Sequence, residues 1–223
     1  MSDLRAEGIV KHFELGGKTL EILKGIDLTI GRGDSLAVLG VSGAGKSTLL
    51  HILGGLERPT QGHVLYDGVD IYRLPGPEIA RFRNRTLGFV FQLHHLLPEF
   101  DAEENVMMPC LLAGWSKRRA RTRAAEMLEA VGLADRRRHT PGKLSGGERQ
   151  RVSVARSMVL EPPVILADEP SGNLDPRTAE EVEDLFLKLN AELETALILV
   201  THNEKLANRL AKKSYLEEGR LES

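Results

Sequence analysis

Three runs of consecutive apolar residues stand out along the chain, and a glycine-rich or polar segment follows each of them. The runs lie within Ser35 to Leu39, Val164 to Asp168 and Ala196 to Thr201, and an amphipathic segment from Pro176 to Glu194 precedes the third. Uninterrupted apolar strands are typical of a parallel sheet with helices on both faces, because both sides of each strand are then buried. The pattern predicts an α/β fold with a parallel-sheet core.

The opening of the chain has a different pattern. Its segments "GIVKHFEL", "LEILKGIDLTI" and "GHVLYDGVDI" are short, alternate between apolar and polar residues, and are separated by glycines. Such alternation is typical of antiparallel strands that bury one face. We expect a small N-terminal antiparallel β-layer beside the main sheet.

The middle of the chain has a helical pattern. The stretch "SKRRARTRAAEMLEAV" begins at Ser116, a residue type that favours the N-cap position, and its first half is strongly basic. Cations in a first helical turn oppose the helix dipole, so packing must hold this helix. We expect a helical subdomain at roughly residues 93–160, within a single domain that spans residues 1–223.

Charge and composition exclude several classes of protein. The 223 residues include 30 Lys+Arg and 32 Asp+Glu, a net charge of −2 that gives no general attraction to nucleic acid. A single cysteine, Cys110, excludes an internal disulfide framework. The opening "MSDLRAEGIVKHF" lacks the pattern of a secretory signal, and no apolar run reaches the roughly 18 residues of a spanning helix. If the protein works at a membrane, another chain is expected to carry it there.

The segment "GVSGAGKS" fits the phosphate-binding pattern G-x-x-x-x-G-K-[ST], and it lies after a predicted strand and before a predicted helix. Glycines let backbone N–H groups approach phosphate oxygens, Lys46 adds a charge for the β- and γ-phosphates, and Ser47 offers a hydroxyl to Mg²⁺. The alternative is a glycine-rich turn without a ligand. The candidate nucleotide-binding residues are Gly40, Val41, Ser42, Gly43, Ala44, Gly45, Lys46, Ser47 and Thr48.

Two adjacent carboxylates, Asp168 and Glu169, follow the second apolar run. The carboxyl ends of parallel strands form the edge at which α/β proteins bind ligands. One carboxylate can hold Mg²⁺ while its neighbour orients or deprotonates an attacking water. A strand-ending acidic turn is the alternative, and it becomes less attractive beside a phosphate-binding loop.

The segment "LSGGERQ", from Leu144 to Gln150, resembles the signature motif of the ATP-binding-cassette (ABC) ATPases. The other landmarks occur in that family's order: the phosphate loop, Gln92 in "GFVFQ", the signature, "VILADEP", "SGNLD", and His202 in "VTHN". The ordered set is far more specific than any single motif. The resemblance implies a P-loop NTPase fold with a RecA-like core, and ATP hydrolysis with Mg²⁺.

The resemblance also implies a role for each matching residue. Lys46 and the loop backbone would hold the phosphates, and Ser47, Gln92 and Asp168 would surround Mg²⁺. Glu169 would act as the base toward water.

Further roles concern the γ-phosphate and a second subunit. His202 would contact the γ-phosphate. The signature residues Ser145, Gly146 and Gly147 would complete the site of a partner chain, so that a head-to-tail homodimer encloses two ATP molecules. Asp175 would lie at the dimer seam.

An aromatic ring, usually tyrosine, stacks on adenine in this family. Here Phe13 in "VKHFEL", with His12 beside it, is the best match. Phe13 as an ordinary core residue is the alternative.

The stretch from Phe89 to Pro109 is similar, through "HHLLPEF" and "ENV", to the ATPase subunits of lipoprotein-releasing transporters, in the subfamily that also includes macrolide exporters and cell-division ATPases (LolD/MacB/FtsE-like). Ser171 and Asn203 depart from that pattern, where threonine and aspartate are common. The resemblance implies two copies beneath two permease subunits at the cytoplasmic face of the bacterial inner membrane, driving lipoproteins toward a periplasmic carrier. Apolar residues in 89–109 either belong to the core or form a groove for a permease helix.

Other functions fit fewer of these features. A macrolide or peptide efflux system and a cell-division system would use the same ATPase machinery. A DNA-associated ABC ATPase is favoured only by the basic run "KRRARTR", which reads better as a solvated helix face, and no nucleic-acid partner is expected. A small GTPase or nucleoside kinase explains the phosphate loop but not the signature segment.

Overall fold

A computed structural model describes residues 3–222 of the chain. The described residues form two compact units. The first consists of the chain up to Arg83, Leu166–Asp168 and the chain from Ala196 onward, and the second consists of Asn84–Ile165 and Glu169–Thr195. No helix within residues 3–222 is long and apolar enough to cross a membrane.

The secondary structure alternates between strands and helices after an opening of strands. The strands are β1 (Asp3–Leu15), β2 (Lys18–Gly31), β3 (Ser35–Leu39), β4 (Gln61–Tyr66), β5 (Val69–Asp70), β6 (Leu87–Phe91), β7 (Val164–Asp168), β8 (Ala196–Thr201), β9 (Lys212–Glu217) and β10 (Arg220–Glu222). The helices are α1 (Lys46–Leu53), α2 (Gly76–Thr86), α3 (Ala102–Leu112), α4 (Lys117–Ala130), α5 (Gly146–Met158), α6 (Pro176–Leu193) and α7 (Glu204–Ala207).

The antiparallel layer of the first unit has the strand order β2-β1-β4-β5. β1 pairs antiparallel with β2 on one side and with β4 on the other. Leu4, Ala6 and Ile9 of β1 are buried, and the register shifts between Ala6 and Ile9, where Gly8 has a φ of +57°. The predicted β-layer is confirmed.

The apolar runs form the larger sheet, in which the first unit contributes the order β10-β9-β3-β8-β7. β3 pairs in parallel with β8 and with β9, and Leu39 at the end of β3 lies opposite Thr201 at the end of β8. All six residues of β8 are buried. The α/β fold class is therefore confirmed. The β3–β8 register brings the loop after Leu39 and the turn after Thr201 to the same edge of the sheet.

The second unit packs α3, α4 and α5 together and places β6 next to the start of β7 in the sheet order. α5 and β6 approach each other closely, because a Cβ at Gly88 would lie 2.4 Å from the carbonyl oxygen of Ser157. The buried apolar residues include Val106, Leu128 and Val152. The range 93–160, predicted as a helical subdomain, lies inside this unit.

Helix α4 begins as the sequence predicts, despite its basic first half. The Ser116 hydroxyl accepts a hydrogen bond from the Arg119 backbone N–H (3.3 Å), and the Arg119 guanidinium lies 3.6 Å from the centroid of the Trp115 ring. On its inner face, Ala120 and Ala124 are fully buried. The cap, the cation–π contact and the buried face together offset the unfavourable position of the cations.

A buried carboxylate also holds α4 and the segment after it. Glu103 is fully buried, and three guanidinium groups surround it. Arg121 Nε lies 3.0 Å from Oε1, Arg137 Nε lies 3.2 Å from Oε2, and Arg138 Nη1 lies 3.1 Å from Oε1. The contacts are ion pairs without the alignment of good hydrogen bonds. Charge pairing therefore joins the start of α3 to α4 and to the loop before the signature segment.

Replacement of Glu103 by alanine is expected to lower the free energy of unfolding by about 2–3 kcal/mol. Breaking a fully buried ion pair costs about 3–5 kcal/mol, and water reduces the effect here, because the arginine side chains are 39–58% exposed. Urea denaturation checks this, with Glu129→Ala as the control, since Glu129 is an exposed glutamate on α4 expected to change stability by no more than about 0.5 kcal/mol. Equal midpoints for the two variants would contradict the prediction.

Candidate active site

The loop after β3 depends on glycine at the positions where it passes other segments closely. A Cβ at Gly40 would lie 2.6 Å from the carbonyl oxygen of Leu216, and a Cβ at Gly45 would lie 2.7 Å from Ile22 Cγ2. Gly45 also has a φ of +99° and occupies the N-cap of α1, where it offers no side-chain cap. The first-turn N–H groups of α1 therefore have no capping side chain, which is the arrangement that binds an anion at a helix N-terminus.

Lys46 supplies the positive charge of this loop. It is only 8% exposed, and its Nζ donates to the carbonyl oxygens of Gly40 (2.7 Å) and Val41 (3.0 Å). A buried ammonium group is stable only when polar atoms surround it. Ser42 and Ser47 are exposed on the same loop and first helical turn. The loop therefore combines an uncapped helix terminus, a held cation and accessible hydroxyl groups, which fits a phosphate chain.

The turn after β8 carries His202 to the same sheet edge as the loop. His202 is exposed, and the Asn203 N–H donates to Thr201 Oγ1 at 2.9 Å. Asn203 caps the short α7, accepting from the backbone N–H groups of Lys205 (3.0 Å) and Leu206. Asparagine and aspartate cap helices about equally well, so this departure from the family pattern keeps the local structure.

Glu169 follows Asp168, the last residue of β7, and has a φ of +45°. The left-handed region is uncommon for a residue with a side chain, and strain of this kind is frequent at functional sites. The Gly172 N–H donates to the Glu169 carbonyl oxygen at 3.0 Å and closes a turn. A Cβ at Gly172 would lie 3.4 Å from Glu169 Cβ and 3.0 Å from Gln92 Nε2. The structure therefore places Glu169 and Gln92 next to the same glycine.

The signature segment begins α5 with two reciprocal hydrogen bonds. The Ser145 hydroxyl accepts from the Glu148 N–H (3.2 Å), and Glu148 accepts from the Ser145 N–H (2.8 Å). This bond from the Ser145 N–H lowers the pKa of Glu148, and Arg136 adds to the effect. The predicted cap at Ser145 is confirmed and is a full capping box.

Close packing also explains the two glycines of the signature. A Cβ at Gly147 would lie 2.4 Å from Thr178 Cγ2 of α6, and a Cβ at Gly146 would lie 3.3 Å from Leu174 Cδ2. The N-terminus of α5 therefore lies directly against the start of α6. Asp175, in the same segment, caps α6 by accepting from the Thr178 N–H at 3.1 Å.

The segment after Gln92 is attached to α5 by contacts that the sequence did not predict. Arg156 donates to the carbonyl oxygens of His95 (2.7 Å) and His94 (2.8 Å). The Gln150 side chain contacts the His94 ring and donates to the Phe91 carbonyl oxygen at 3.3 Å. Burial lowers the pKa of His94. In the sequence, the place of Gln150 within the signature motif was a signal that could have pointed to these contacts.

Phe13 is not a core residue, because 40% of its surface is exposed. It lies near the end of β1 opposite Leu20 of β2, and the Lys11 ammonium lies 4.6 Å from its ring centroid. Its position on an exposed strand end is compatible with stacking on a base.

The apolar residues of 89–109 divide between surface and core. Leu93 is 65% exposed and Leu97 is 38% exposed, whereas Met107 is buried. Asn105 shapes the loop between them by accepting from the Leu97 N–H (2.8 Å) and donating to the carbonyl oxygens of Leu97 and Phe100. Part of this stretch therefore belongs to the core, whereas Leu93 and Leu97 lie at the surface.

The predicted site residues are divided between the two units. The first unit contains Phe13, the loop from Gly40 to Thr48, Asp168 and His202. The second unit contains Gln92, Ser145, Gly146, Gly147, Glu169 and Asp175.

The comparison with known families agrees with this fold. The family model described as "ABC transporter" matches residues 23–172. The chain therefore belongs to the ABC transporter family, as one of its ATP-hydrolysing, nucleotide-binding subunits.

Particular members of that family match nearly the whole chain. The chain is 51% identical to a protein of Syntrophus aciditrophicus and 50% identical to one of Legionella pneumophila (strain Paris). Each alignment covers 98% of this chain, and they cover 98% of the first relative and 96% of the second. Each of these proteins is named "lipoprotein-releasing system ATP-binding protein LolD".

Solved structures show the same fold. An ATP-binding cassette solved as a dimer in a post-hydrolysis state with ADP and Pi superposes with a TM-score of 0.91 and 36% identity, over 99% of this chain and 97% of that one. A dimeric structure of a bacterial ABC transporter cassette matches to the same extent.

Proposed function

We propose that this chain binds ATP with Mg²⁺, dimerises head to tail, and drives the release of lipoproteins through partner permease subunits. The observation that carries the proposal is the match over 98% of the chain to relatives named for lipoprotein release, combined with a loop and helix terminus built for phosphate. The site of action proposed is the cytoplasmic face of a bacterial inner membrane, with the chain as a peripheral subunit.

The phosphate loop performs the first task, which is binding. Its backbone N–H groups and the α1 terminus would donate to phosphate oxygens, and Lys46 would exchange its loop carbonyl partners for the β- and γ-phosphates. Phe13 is the proposed platform for adenine.

The donor set proposed for the metal fits Mg²⁺. Ser47, Gln92 and Asp168 offer a hydroxyl, an amide oxygen and a carboxylate, and Mg²⁺ prefers oxygen ligands and few protein groups in addition to phosphates and waters. When bound, Mg²⁺ would neutralise charge on the phosphate oxygens.

Glu169 is the proposed base, and His202 the proposed γ-phosphate contact. Glu169 follows the end of β7, and the Gly172 N–H closes the turn at its backbone carbonyl oxygen. From this position its carboxylate would orient a water and accept its proton. His202, presented at the carboxyl edge of β8, would donate a hydrogen bond to the γ-phosphate.

The signature residues support the dimer. Ser145, Gly146 and Gly147 lie at the N-terminus of α5, where the helix dipole favours negative charge, and in the proposal the γ-phosphate bound to the other copy supplies that charge. The two structurally similar cassettes were solved as dimers. Asp175 is proposed to lie at the seam.

The surface proposed for permease contact is the stretch 89–109, and its exposed apolar residues Leu93 and Leu97 support this. Arg156 and Gln150 join the neighbouring His94 and His95 to α5. A push on this stretch by a permease helix would therefore act directly on the helix that carries the signature.

Leu93→Asp is expected to weaken binding to the permease while ATP hydrolysis by the isolated chain is unchanged, because a charge replaces an exposed apolar contact. Leu112→Asp is the matched control, since Leu112 is 71% exposed and lies outside 89–109. Co-purification from membranes measures both variants. Equal yields of permease with the two variants would contradict the assigned surface.

The partners themselves are identified by capture. The tagged Glu169→Gln chain, trapped with ATP in native membranes and solubilised gently, is expected to bring down two subunits related to lipoprotein-releasing permeases, detected by mass spectrometry. If an efflux or cell-division permease were found in their place, the assignment as a transporter ATPase would stand, but the proposed cargo would be wrong. DNA without a membrane partner would contradict the transport proposal.

A further inference from the structure

A pair of side-chain amides joins two loops that are 81 residues apart in the sequence. Gln92 Nε2 donates to Asn173 Oδ1 at 2.9 Å, and Asn173 Nδ2 donates to the Gln92 carbonyl oxygen at 3.2 Å. Both residues belong to the second unit. The pair fixes the main chain and the side chain of Gln92 at the same time.

The two bonds determine which way each amide is turned. The backbone carbonyl oxygen of Gln92 can only accept a hydrogen bond, so the Asn173 side-chain group next to it must be the NH₂ group. Asn173 Oδ1 is then the atom that faces the Gln92 side chain, which must offer its own NH₂ group in return. Gln92 Oε1 is therefore left as the side-chain atom that can bind a cation.

The amide pair lies beside the turn that begins at Glu169. Gly172 precedes Asn173, and a Cβ there would come within 3.0 Å of Gln92 Nε2, so glycine makes room for the amide. The Gly172 N–H also holds the turn that begins at Glu169. The position of Asn173 relative to Gln92 is thus set by the same turn that carries the proposed base.

We propose that Asn173 is a positioning residue that presents Oε1 of Gln92 to the divalent cation. The proposal rests on the assignment of Gln92 as a metal ligand under the proposed function. Asn173 itself touches neither metal nor nucleotide. It prevents the Gln92 amide from turning, which would point an NH₂ group at the cation.

The test measures metal affinity instead of turnover. Mn²⁺ replaces Mg²⁺ as the probe, and its binding to the full chain with the slowly hydrolysed analogue AMP-PNP is followed by electron paramagnetic resonance. Asn173→Ala is expected to weaken Mn²⁺ binding about tenfold, at the low end of the roughly 10–100-fold loss typical when a group supporting a metal ligand is removed. Binding of AMP-PNP in EDTA should be unchanged.

Two further variants separate positioning from a general effect on the loop. Ser171→Ala is the matched control, because Ser171 lies on the same turn but its hydroxyl contacts Glu183 and not Gln92. It should leave Mn²⁺ affinity unchanged. In a Gln92→Ala background, Asn173→Ala should cause no further loss, because a residue that acts only through Gln92 has nothing left to orient.

The outcomes distinguish this inference from the metal assignment beneath it. If Gln92→Ala weakens Mn²⁺ binding and Asn173→Ala does not, the positioning role is overturned and Gln92 remains a ligand. If Asn173→Ala adds a further loss in the Gln92→Ala background, the residue acts by another route and the inference is also overturned. If Gln92→Ala itself has no effect, both the metal assignment and the inference fail.

Discussion

Glu169→Gln is expected to lower ATP turnover by roughly 10²–10⁴-fold, the usual contribution of a positioned general base, while ATP binding is retained. A neutral amide has the size of the carboxylate and can still orient a water, but it cannot take the water's proton. Because ATP then persists, the variant should accumulate as an ATP-bound dimer. Single-turnover hydrolysis and size-exclusion chromatography with ATP measure the two effects.

Glu194→Gln is the matched control for this substitution. Glu194 also lies in the second unit, is exposed, and has a similar left-handed backbone, with a φ of +51°. The same chemical change on the same kind of backbone should leave turnover at the wild-type level. Turnover by Glu169→Gln above about a tenth of the wild-type rate, a deficit of less than about 1.4 kcal/mol in activation free energy, would contradict the role of Glu169 as base.

Lys46→Ala is expected to weaken ATP binding itself, by about 10²-fold. The substitution removes the ammonium group that the Gly40 and Val41 carbonyl oxygens hold at the loop. In the proposed complex this group pairs with the phosphates, and loss of one partner of a buried charge pair costs about 2–5 kcal/mol. Titration with fluorescent ATP measures the affinity. Lys213→Ala, which removes an equal charge from an exposed position in the same unit, should bind as the wild type does. Unchanged affinity of the Lys46 variant would refute the phosphate-loop assignment.

The strands and the local helix signals of this fold could be predicted from the sequence. The runs Ser35–Leu39, Val164–Asp168 and Ala196–Thr201 are strands with the predicted bounds, and α1 begins at Lys46 as expected. Periodicity and capping depend on residues that are close together in the sequence, so a short stretch is enough to recognise them. The caps at Ser116 and Ser145 are confirmed for the same reason.

The contacts that tune the site could not be predicted in this way. Asn173 contacts Gln92 across 81 residues, and Arg137, in the loop before the signature segment, pairs with the buried Glu103 of α3. Such contacts depend on how distant segments pack, and no local pattern encodes them. The packing of Gly147 against Thr178 likewise gives the signature glycine a steric cause that the motif alone does not reveal.

The measurement that tests the central proposal most directly is lipoprotein release from proteoliposomes that contain the captured permease subunits and this chain. With ATP and Mg²⁺, a lipoprotein in the bilayer should transfer to a soluble acceptor with the wild-type chain and should remain in the bilayer with Glu169→Gln. Vigorous ATP hydrolysis by the wild-type complex without any release of lipoprotein would contradict the proposal.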